Sequence, residues 1–281
     1  MTIFKLLFLT WNVNHPSPIQ EFPSQFSSMK MPNADILIIN FQEICTRSLI
    51  DNGKCSNEMN QYIQILTHFF SDYTLLQRFN SQSVALFIFQ NKLKSYEIEF
   101  DDTKLVKHNN DGKSSIISIF RFNSKQFTII GNHLEYGFDN YEERNQEWIN
   151  IIQNLPICDY SIMLGDLNYQ IDLSRGKTLK RISQKKFDRL LRADQLKMAQ
   201  KLIPSFNRYE EGKITFPPTY KFDLNSDEYD TSPKQRTPSY TDRILLATFN
   251  NNTKPLHLKY DMINTSQSDH RPVYALYEFH L

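Results

Sequence analysis

Short apolar runs of strand length recur along the chain, and they limit its fold more than any other feature. Several are apolar on both faces, as strands are when layers cover both sides of their sheet. They therefore predict a strand core with covering layers. The runs comprise residues 3–10, 36–41, 84–90, 116–122, 127–132, 160–165, 243–249 and 272–279.

Amphipathic helical patterns lie between these runs. Apolar residues recur at three- and four-residue spacing over Asn57 to Phe70, Asp139 to Leu155 and a basic stretch from about Lys185 to Leu202. The runs 116–122 and 127–132 predict a hairpin, and the irregular intervals argue against regular βαβ winding. The fold class is therefore α/β, with helices outside a strand core.

The chain contains no internal repeat and no Pro/Gly/Ser linker. The Pro-rich pieces 16–32 and 217–238 are bracketed by strand-like runs, so they are interpreted as long functional loops. Residues 1–281 are therefore predicted to form a single domain. Phe22, Phe26 and Met29 in the first loop are expected to contribute to the core rather than to enter a bilayer.

Charge is balanced overall and segregated locally. The chain has 32 Lys+Arg against 31 Asp+Glu, which argues against a uniformly basic nucleic-acid binder. Residues 173–201, however, contain ten basic residues and only Asp188 and Asp194 as acids, a local charge of +8. This basic segment predicts transient contact with an anionic membrane surface, with a solvated helix face as the alternative.

Compartment signals are few. The apolar N-terminal run is short and broken by Lys5, and no run reaches the 18 residues that suggest a membrane span. Three cysteines without a paired spacing predict no disulfide framework and favour a reducing compartment. The protein is therefore expected to be a cytoplasmic monomer that associates peripherally with membranes.

Polar residues that could act in catalysis or bind a metal ion cluster where the apolar runs begin or stop. Any one of them, taken alone, is more commonly a turn or solvated residue. Together they predict one polar site at one rim of the sheets. The residues are Asn12, Glu43, Asn132, His133, Asp166 and Asn168 after strands, and Asp242, Ser268, Asp269 and His270 beside later strands.

This set suits metal-assisted phosphoester hydrolysis. Glu43 and Asn12, with Asp269 alongside, offer the oxygen ligands that Mg²⁺ prefers. Asp166 is the candidate for activating water, with Asn168 on the same side of an extended segment as a phosphoryl contact. His270 could stabilise the transition state if Asp242 held its second ring nitrogen.

The motifs, in order, resemble those of the inositol polyphosphate 5-phosphatases. Several are shared with the wider endonuclease/exonuclease/phosphatase superfamily, whereas the 216–222 motif followed by 226–236 is typical of the 5-phosphatases. The motifs are Thr10-Trp11-Asn12, Phe41-Gln42-Glu43, Asn132-His133-Leu134, Gly165-Asp166-Leu167-Asn168-Tyr169, Phe216-Pro217-Pro218-Thr219-Tyr220-Lys221-Phe222, Ser239-Tyr240-Thr241-Asp242-Arg243-Ile244-Leu245 and Ser268-Asp269-His270-Arg271-Pro272-Val273.

The resemblance implies a four-layer α/β/β/α sandwich, two packed mixed sheets flanked by helices, and Mg²⁺-dependent removal of the 5-phosphate from phosphoinositides or inositol polyphosphates. It implies that His133 contacts the scissile phosphate and that Asn132 lies among the substrate-binding residues. The residues that it implies for holding a neighbouring 4-phosphate are Tyr220, Lys221, Lys234 and Arg236.

The sequence departs from the family pattern at the region associated with the 1-phosphate. Gln170 stands where the family usually has Arg, and the usual Gly-rich segment is shortened to residues 110–115. Of the family's basic residues there, only Lys113 is retained. Weaker or different binding of the 1-phosphate is therefore expected.

Two alternatives compete with a 5-phosphatase. A nuclease or abasic endonuclease of the same superfamily would leave the basic residues at 221, 234 and 236 without a role. A catalytically silent phosphoinositide-binding module would not need the complete set of candidate catalytic residues. The favoured substrates are phosphatidylinositol 4,5-bisphosphate and 3,4,5-trisphosphate, with soluble inositol polyphosphates as further candidates.

Overall fold

Two six-stranded β-sheets pack face to face in the computed structural model, which describes residues 2–14, 34–45, 55–108, 112–250 and 252–281. Within these ranges the strands are β1 (Ile3–Asn12), β2 (Ile36–Gln42), β3 (Tyr73–Ser81), β4 (Val84–Asn91), β5 (Glu99–Lys107), β6 (Ser114–Phe122), β7 (Lys125–His133), β8 (Tyr160–Asp166), β9 (Glu210–Glu211), β10 (Asp242–Thr248), β11 (Leu256–Met262) and β12 (Val273–His280). The helices are α1 (Cys55–Phe69), α2 (Tyr141–Gln153), α3 (Arg175–Ser183), α4 (Phe187–Leu191), α5 (Gln195–Leu202) and α6 (Pro204–Asn207).

Alternate side chains of the central strands enter different apolar cores. In β1, Phe4, Leu6 and Phe8 face the core between the sheets. Leu7 and Leu9 face a second core, which α1 covers. A third core lies between the other sheet and helices α2, α5 and α6. The predicted α/β/β/α sandwich is therefore confirmed.

Each sheet contains one parallel strand pair flanked by antiparallel strands. The first sheet has the order β11-β12-β1-β2-β4-β3, with β1 and β2 parallel. The second has the order β5-β6-β7-β8-β10-β9, with β7 and β8 parallel. In both sheets, the carboxyl ends of the parallel pair lie beside the start of an antiparallel strand, β12 or β10. These strand directions bring the residues that follow β1, β2, β7 and β8, and those that precede β10 and β12, to one end of the sandwich.

The structure confirms all eight predicted strand runs and the hairpin of β6 and β7. It also adds β3, β5, β9 and β11, which lie at or next to the sheet edges. The predicted helix from Lys185 to Leu202 is two helices, because Asp194 caps the start of α5 by accepting from the Lys197 backbone N–H at 3.1 Å.

The expectations for the first loop and for the cysteines are not confirmed. The segment 16–32, with Phe22, Phe26 and Met29, lies outside the described residues. Cys45 is disulfide-bonded and Cys158 is a buried free thiol, so the chain has a disulfide that the cysteine spacing did not suggest, and the cysteines no longer argue for a reducing compartment. Among the helices of the described ranges, none is long and apolar enough to cross a membrane.

Candidate active site

The strand ends bring polar side chains from both sheets together at one end of the sandwich. His133 at the end of β7 is the register partner of Asp166 at the end of β8, and Asp242 at the start of β10 lies opposite Asp166. Gly165 permits this approach, since a Cβ there would lie 2.1 Å from the carbonyl oxygen of Asn132. The sheet polarity thus juxtaposes residues from distant motifs.

Asn12 joins two carboxylates across the sheets. Its Nδ2 donates to Glu43 Oε1 at 3.1 Å and to Asp166 Oδ2 at 3.0 Å. Asn12 and Asp166 are buried, whereas the Glu43 side chain is 40% exposed and so faces the opening of the site. The two acids therefore lie on either side of one amide.

Two site residues have left-handed backbone conformations. Glu43 has φ of 56° immediately after β2, and Asn168 has φ of 56° after β8. Non-glycine residues in this region are uncommon and cluster at functional sites. The Asn168 backbone N–H donates to Asp166 Oδ1 at 3.1 Å, so the turn also orients the Asp166 carboxylate.

Lys113 and His133 place nitrogen atoms beside these acids. His133 Nε2 lies 3.5 Å from Asp166 Oδ2 and 3.7 Å from Glu43 Oε1, and it is hydrogen-bonded to Lys113 Nζ. Burial lowers the pKa of Lys113, an effect opposed by Asp166 and Glu43. The structure therefore places Lys113 at the carboxylate cluster, whereas the sequence associated it with the 1-phosphate end.

His270 is held between two acids. Its Nδ1 lies 3.0 Å from Asp242 Oδ2, and its Nε2 lies 3.9 Å from Asp166 Oδ2. Thr219 Oγ1 also donates to Asp242 Oδ2 at 2.7 Å, which fixes the orienting carboxylate. Burial alone would lower the pKa of His270, but Asp242 outweighs it and raises that pKa to about 10. The imidazole is therefore a cation at neutral pH.

Neighbouring nitrogen groups keep both central acids ionised. Burial would raise the pKa of Asp166, but its hydrogen bond with His133 and the charge of His270 hold it well below the usual value. Burial also opposes ionisation of Glu43, and His133 and Lys113 lower its pKa overall. Two carboxylates are thus available as oxygen ligands or as bases.

The oxygen donors fit a hard divalent cation. Glu43 and Asp166 provide the carboxylate oxygens that Mg²⁺ and Ca²⁺ prefer. Asn12 turns its Nδ2 toward both acids, and its Oδ1 accepts from the Asn14 backbone N–H at 3.1 Å. Within the described residues, Asp166, Asp242 and His270 also have possible ligand atoms within 4.8 Å of one another. A protonated His270 has no free lone pair, so the Glu43 side is the part of the site that could hold a metal ion.

Asp269 does not join this group. Its Oδ2 accepts from Lys221 Nζ at 2.6 Å, which makes it the partner of a predicted substrate-binding lysine.

Asn132 also differs from its predicted role. It is fully buried between the sheets, where its amide donates to the Ile130 and Leu164 carbonyls and accepts from Ser115. Asn132 therefore joins strands instead of facing the opening.

The loop with the remaining basic residues lies against His270, the candidate catalytic histidine. Tyr220 forms an isolated bridge with His270, and their ring centroids are 4.5 Å apart. Asp230, which the sequence reasoning did not assign a role, holds the rest of this loop. Its backbone N–H donates to the Lys221 carbonyl at 2.9 Å, and its Oδ2 accepts from the Arg236 backbone N–H at 2.7 Å.

The predicted 4-phosphate residues are therefore partly assembled. Tyr220 and Lys221 lie at the site, and Arg236 is close enough to oppose the rise in the pKa of Tyr220 that burial causes. Lys234 is exposed on the same loop.

Gln170 pairs through its backbone with Gln195, whose side chain accepts from the Gln170 N–H at 2.9 Å.

Sequence reasoning also missed a buried ion network directly behind the site. Arg243, the neighbour of Asp242, is fully buried and donates to both carboxylate oxygens of Glu211 at 2.6 Å. It also donates to Asp194 Oδ1 at 2.9 Å, and Lys197 lies 2.9 Å from Glu211. The Asp-Arg pair within the motif was the available signal, but its partners lie in unrelated segments.

Comparison with known proteins identifies the family of this chain. The profile of endonuclease/exonuclease/phosphatase family 2 matches residues 9–276. Inositol-1,4,5-trisphosphate 5-phosphatase 1 of Schizosaccharomyces pombe is 30% identical over 98% of this chain, and the match covers 27% of that relative. The chain thus spans about a quarter of that protein's length.

Solved structures show the same fold. The inositol polyphosphate 5-phosphatase domain of SPsynaptojanin, in complex with inositol (1,4)-bisphosphate and calcium, matches with a TM-score of 0.84 and 29% identity, covering 99% of this chain and 84% of that one. A Cimex nitrophorin matches with a TM-score of 0.78 but 21% identity, over 99% of both chains, so it shows the fold alone. The chain belongs to endonuclease/exonuclease/phosphatase family 2, and the predicted resemblance to the inositol polyphosphate 5-phosphatases within it is confirmed.

Proposed function

We propose that this chain is a Mg²⁺-dependent phosphatase that removes the 5-phosphate from phosphoinositides. Phosphatidylinositol 4,5-bisphosphate and 3,4,5-trisphosphate are the proposed lipids, and soluble inositol polyphosphates are further substrates. The observation that carries this proposal is the contact of the Tyr220–Lys221 segment with His270, because the Lys221 ammonium beside the candidate catalytic residues is a group that could bind a second phosphate.

The chain's own residues divide the work of hydrolysis. Asp166, kept ionised, accepts the proton of the attacking water, and Asn168 orients that carboxylate through its backbone. His270, cationic and held by Asp242, stabilises the negative charge that develops on the transferring phosphoryl group. Lys113 and His133, which are hydrogen-bonded to each other beside Asp166, supply further polar contacts to the phosphoryl group. Mg²⁺, held by Glu43 beside Asn12, would polarise the phosphoryl oxygens.

The printed names of the relatives support the same substrate class. The S. pombe relative is named for inositol 1,4,5-trisphosphate, and the SPsynaptojanin domain holds an inositol bisphosphate with a 4-phosphate. Lys221 and Arg236 are cations of the kind that recognises a phosphate vicinal to the scissile one. A nuclease would leave their arrangement unexplained.

The direct test is phosphate release from three substrates with and without Mg²⁺. We expect release from phosphatidylinositol 4,5-bisphosphate and inositol 1,4,5-trisphosphate, no cleavage of abasic DNA, and loss of activity with EDTA. Cleavage of DNA alone would establish the nuclease alternative. Binding of the lipid without any hydrolysis would instead establish a silent module.

Lys221→Ala should impair 4-phosphorylated substrates selectively. Loss of one charge-assisted contact of about 1.5–3 kcal/mol should raise KM for the 4,5-bisphosphate by roughly 10- to 100-fold. The KM for phosphatidylinositol 5-phosphate should change little, since that lipid lacks the 4-phosphate. Steady-state assays with both lipids measure the difference, and Lys104→Ala, an exposed lysine of β5, is the control. Equal losses on both lipids would contradict the assignment.

We also propose that the basic segment 173–201 meets an anionic membrane surface. Two of its ten basic residues face inward, since Arg175 donates to the carbonyls of Tyr229 and Asp230 and Lys197 pairs with Glu211. Six others are exposed, on and around α3–α5: Lys177, Lys180, Lys185, Arg189, Arg192 and Lys201. Because α3 begins beside the substrate-binding loop, lipid contact here would keep the opening near its substrate.

Charge reversal tests this membrane contact. Each basic residue near an anionic surface contributes about 1 kcal/mol, so loss of three such attractions alone lowers vesicle partitioning by roughly 100-fold. Reversing Lys177, Lys180 and Lys185 to Glu also adds repulsion, so its effect should exceed that value. Hydrolysis of soluble inositol 1,4,5-trisphosphate should be unchanged. Reversal of three other exposed lysines, Lys92 in the turn after β4 and Lys104 and Lys107 in β5, is the matched control. Equal effects of the two triple variants would contradict a specific surface.

A cytoplasmic location with reversible membrane association, and a monomeric state, complete the proposal. Membrane association would bring the site to a lipid headgroup. A monomer would suffice, because the candidate site residues all belong to one chain. Fractionation with and without high salt, and sedimentation of the purified chain, test these two statements.

A further inference from the structure

The carboxylate of Asp269 faces the substrate-binding loop. Its Oδ2 lies 2.6 Å from Lys221 Nζ, and its Oδ1 lies 3.5 Å from Ser268 Oγ. The Asp269 side chain is 9% exposed and the Lys221 side chain 30% exposed, so the pair borders the opening with the ammonium on the outer side. This placement accounts for the carboxylate without a metal ion.

Backbone pairing fixes the two residues relative to each other. The Phe222 N–H donates to the Asp269 carbonyl at 2.9 Å, and the Arg271 N–H donates to the Thr219 carbonyl at 2.9 Å. Between these bonds, Tyr220 bridges His270. Asp269 and Lys221 therefore lie on adjacent extended segments, one carrying the catalytic histidine and the other the loop cations.

We propose that Asp269 is a positioning residue that presets the Lys221 ammonium for the phosphate next to the scissile one. The inference rests on the proposed function and deepens it, because it gives Asp269 a role in substrate specificity rather than in metal binding.

The physical basis is preorganisation. A lysine ammonium is a point charge on a flexible four-carbon stem with three donor hydrogens. Asp269 engages one of them, which leaves two for a phosphate and restricts the stem before substrate arrives. The negative charge of Asp269 would otherwise repel a phosphate, but the Lys221 ammonium lies 2.6 Å from it and compensates its local field.

Two Asp269 variants separate positioning from other roles. Asp269→Ala removes the partner of Lys221 and should raise KM for phosphatidylinositol 4,5-bisphosphate by about three- to tenfold, the effect of freeing one long side chain. The KM for phosphatidylinositol 5-phosphate and the half-saturating Mg²⁺ concentration should stay unchanged. Asp269→Asn retains an acceptor oxygen and should recover most of the loss. Asp172→Ala, at an exposed acid with no role in the site, is the control.

Calorimetry without metal provides a readout that is independent of hydrolysis. In EDTA, the unmodified chain should bind inositol 1,4-bisphosphate more tightly than inositol 1-phosphate, and Asp269→Ala should reduce that preference. If hydrolysis is absent but this preference and its loss are observed, the proposed function fails while the positioning role stands.

Three results would overturn the inference. The first is a shift in half-saturating Mg²⁺ for Asp269→Asn, which would make Asp269 a metal ligand. The second is tighter phosphate binding after Asp269→Ala, because the carboxylate would then compete for Lys221. The third is the same loss for ligands with and without the 4-phosphate, or no preference between them in the unmodified chain.

Discussion

Asp166→Asn should reduce kcat for 5-phosphate release by about 10²- to 10⁴-fold, the range lost with a general base. Asn keeps the shape of the side chain but cannot accept a proton from water. The Asp166 carboxylate is also the common neighbour of Asn12, His133 and His270, so its charge organises the site. Steady-state assays at saturating Mg²⁺ on phosphatidylinositol 4,5-bisphosphate measure the effect.

Two controls separate this chemical effect from unfolding. Thermal melting of Asp166→Asn should be cooperative, because the substituted amide can still meet Asn12. Asp172→Asn, at an exposed acid shortly after the same motif, should retain full activity. If Asp166→Asn kept more than about a tenth of the activity, another group would have to activate the water.

Arg243→Ala should destabilise the fold by about 3–5 kcal/mol, the cost of removing one partner from a buried ion pair. The side chains of Arg243, Asp194 and Glu211 are all fully buried. Burial alone would raise the pKa of Glu211, but Arg243 and Lys197 lower it to about 2. Without the guanidinium, two buried carboxylates would share only Lys197. Urea denaturation should show the loss as a lower midpoint.

A surface arginine provides the comparison. Arg192 is 78% exposed and lies 3.7 Å from the exposed Asp188, so Arg192→Ala should cost at most about 0.5 kcal/mol. A loss below about 1 kcal/mol for Arg243→Ala would mean that water enters the network and solvates the acids. The network would then not support the strand that carries Asp242.

The central strands could be predicted from sequence because they are buried on both faces. All seven residues of β2 and of β8 are buried, so their apolar runs are continuous. The edge strands β3 and β5 alternate between exposed and partly buried residues and contain many polar side chains. Their backbone pairing partners lie in other segments, so their own composition did not reveal them.

The candidate site shows the same division. Motifs identified Glu43, Asp166, Asp242 and His270 because each stands at the end or start of a recognisable strand. They could not separate Asp269 from the metal ligands, because its role depends on whether a lysine or an oxygen cluster faces it. The same limit applies to Asn132, whose amide is consumed by neighbouring strands.

The sequence by itself determined the family, the layered fold and the set of residue types at the site, since apolar periodicity and motif order are local properties of the chain. Only the tertiary structure decided which side chains face one another: Lys113 with His133, Lys221 with Asp269, and Arg243 with Asp194 and Glu211. These pairings depend on the register and polarity of strands far apart in sequence, and burial then sets the charge of each partner.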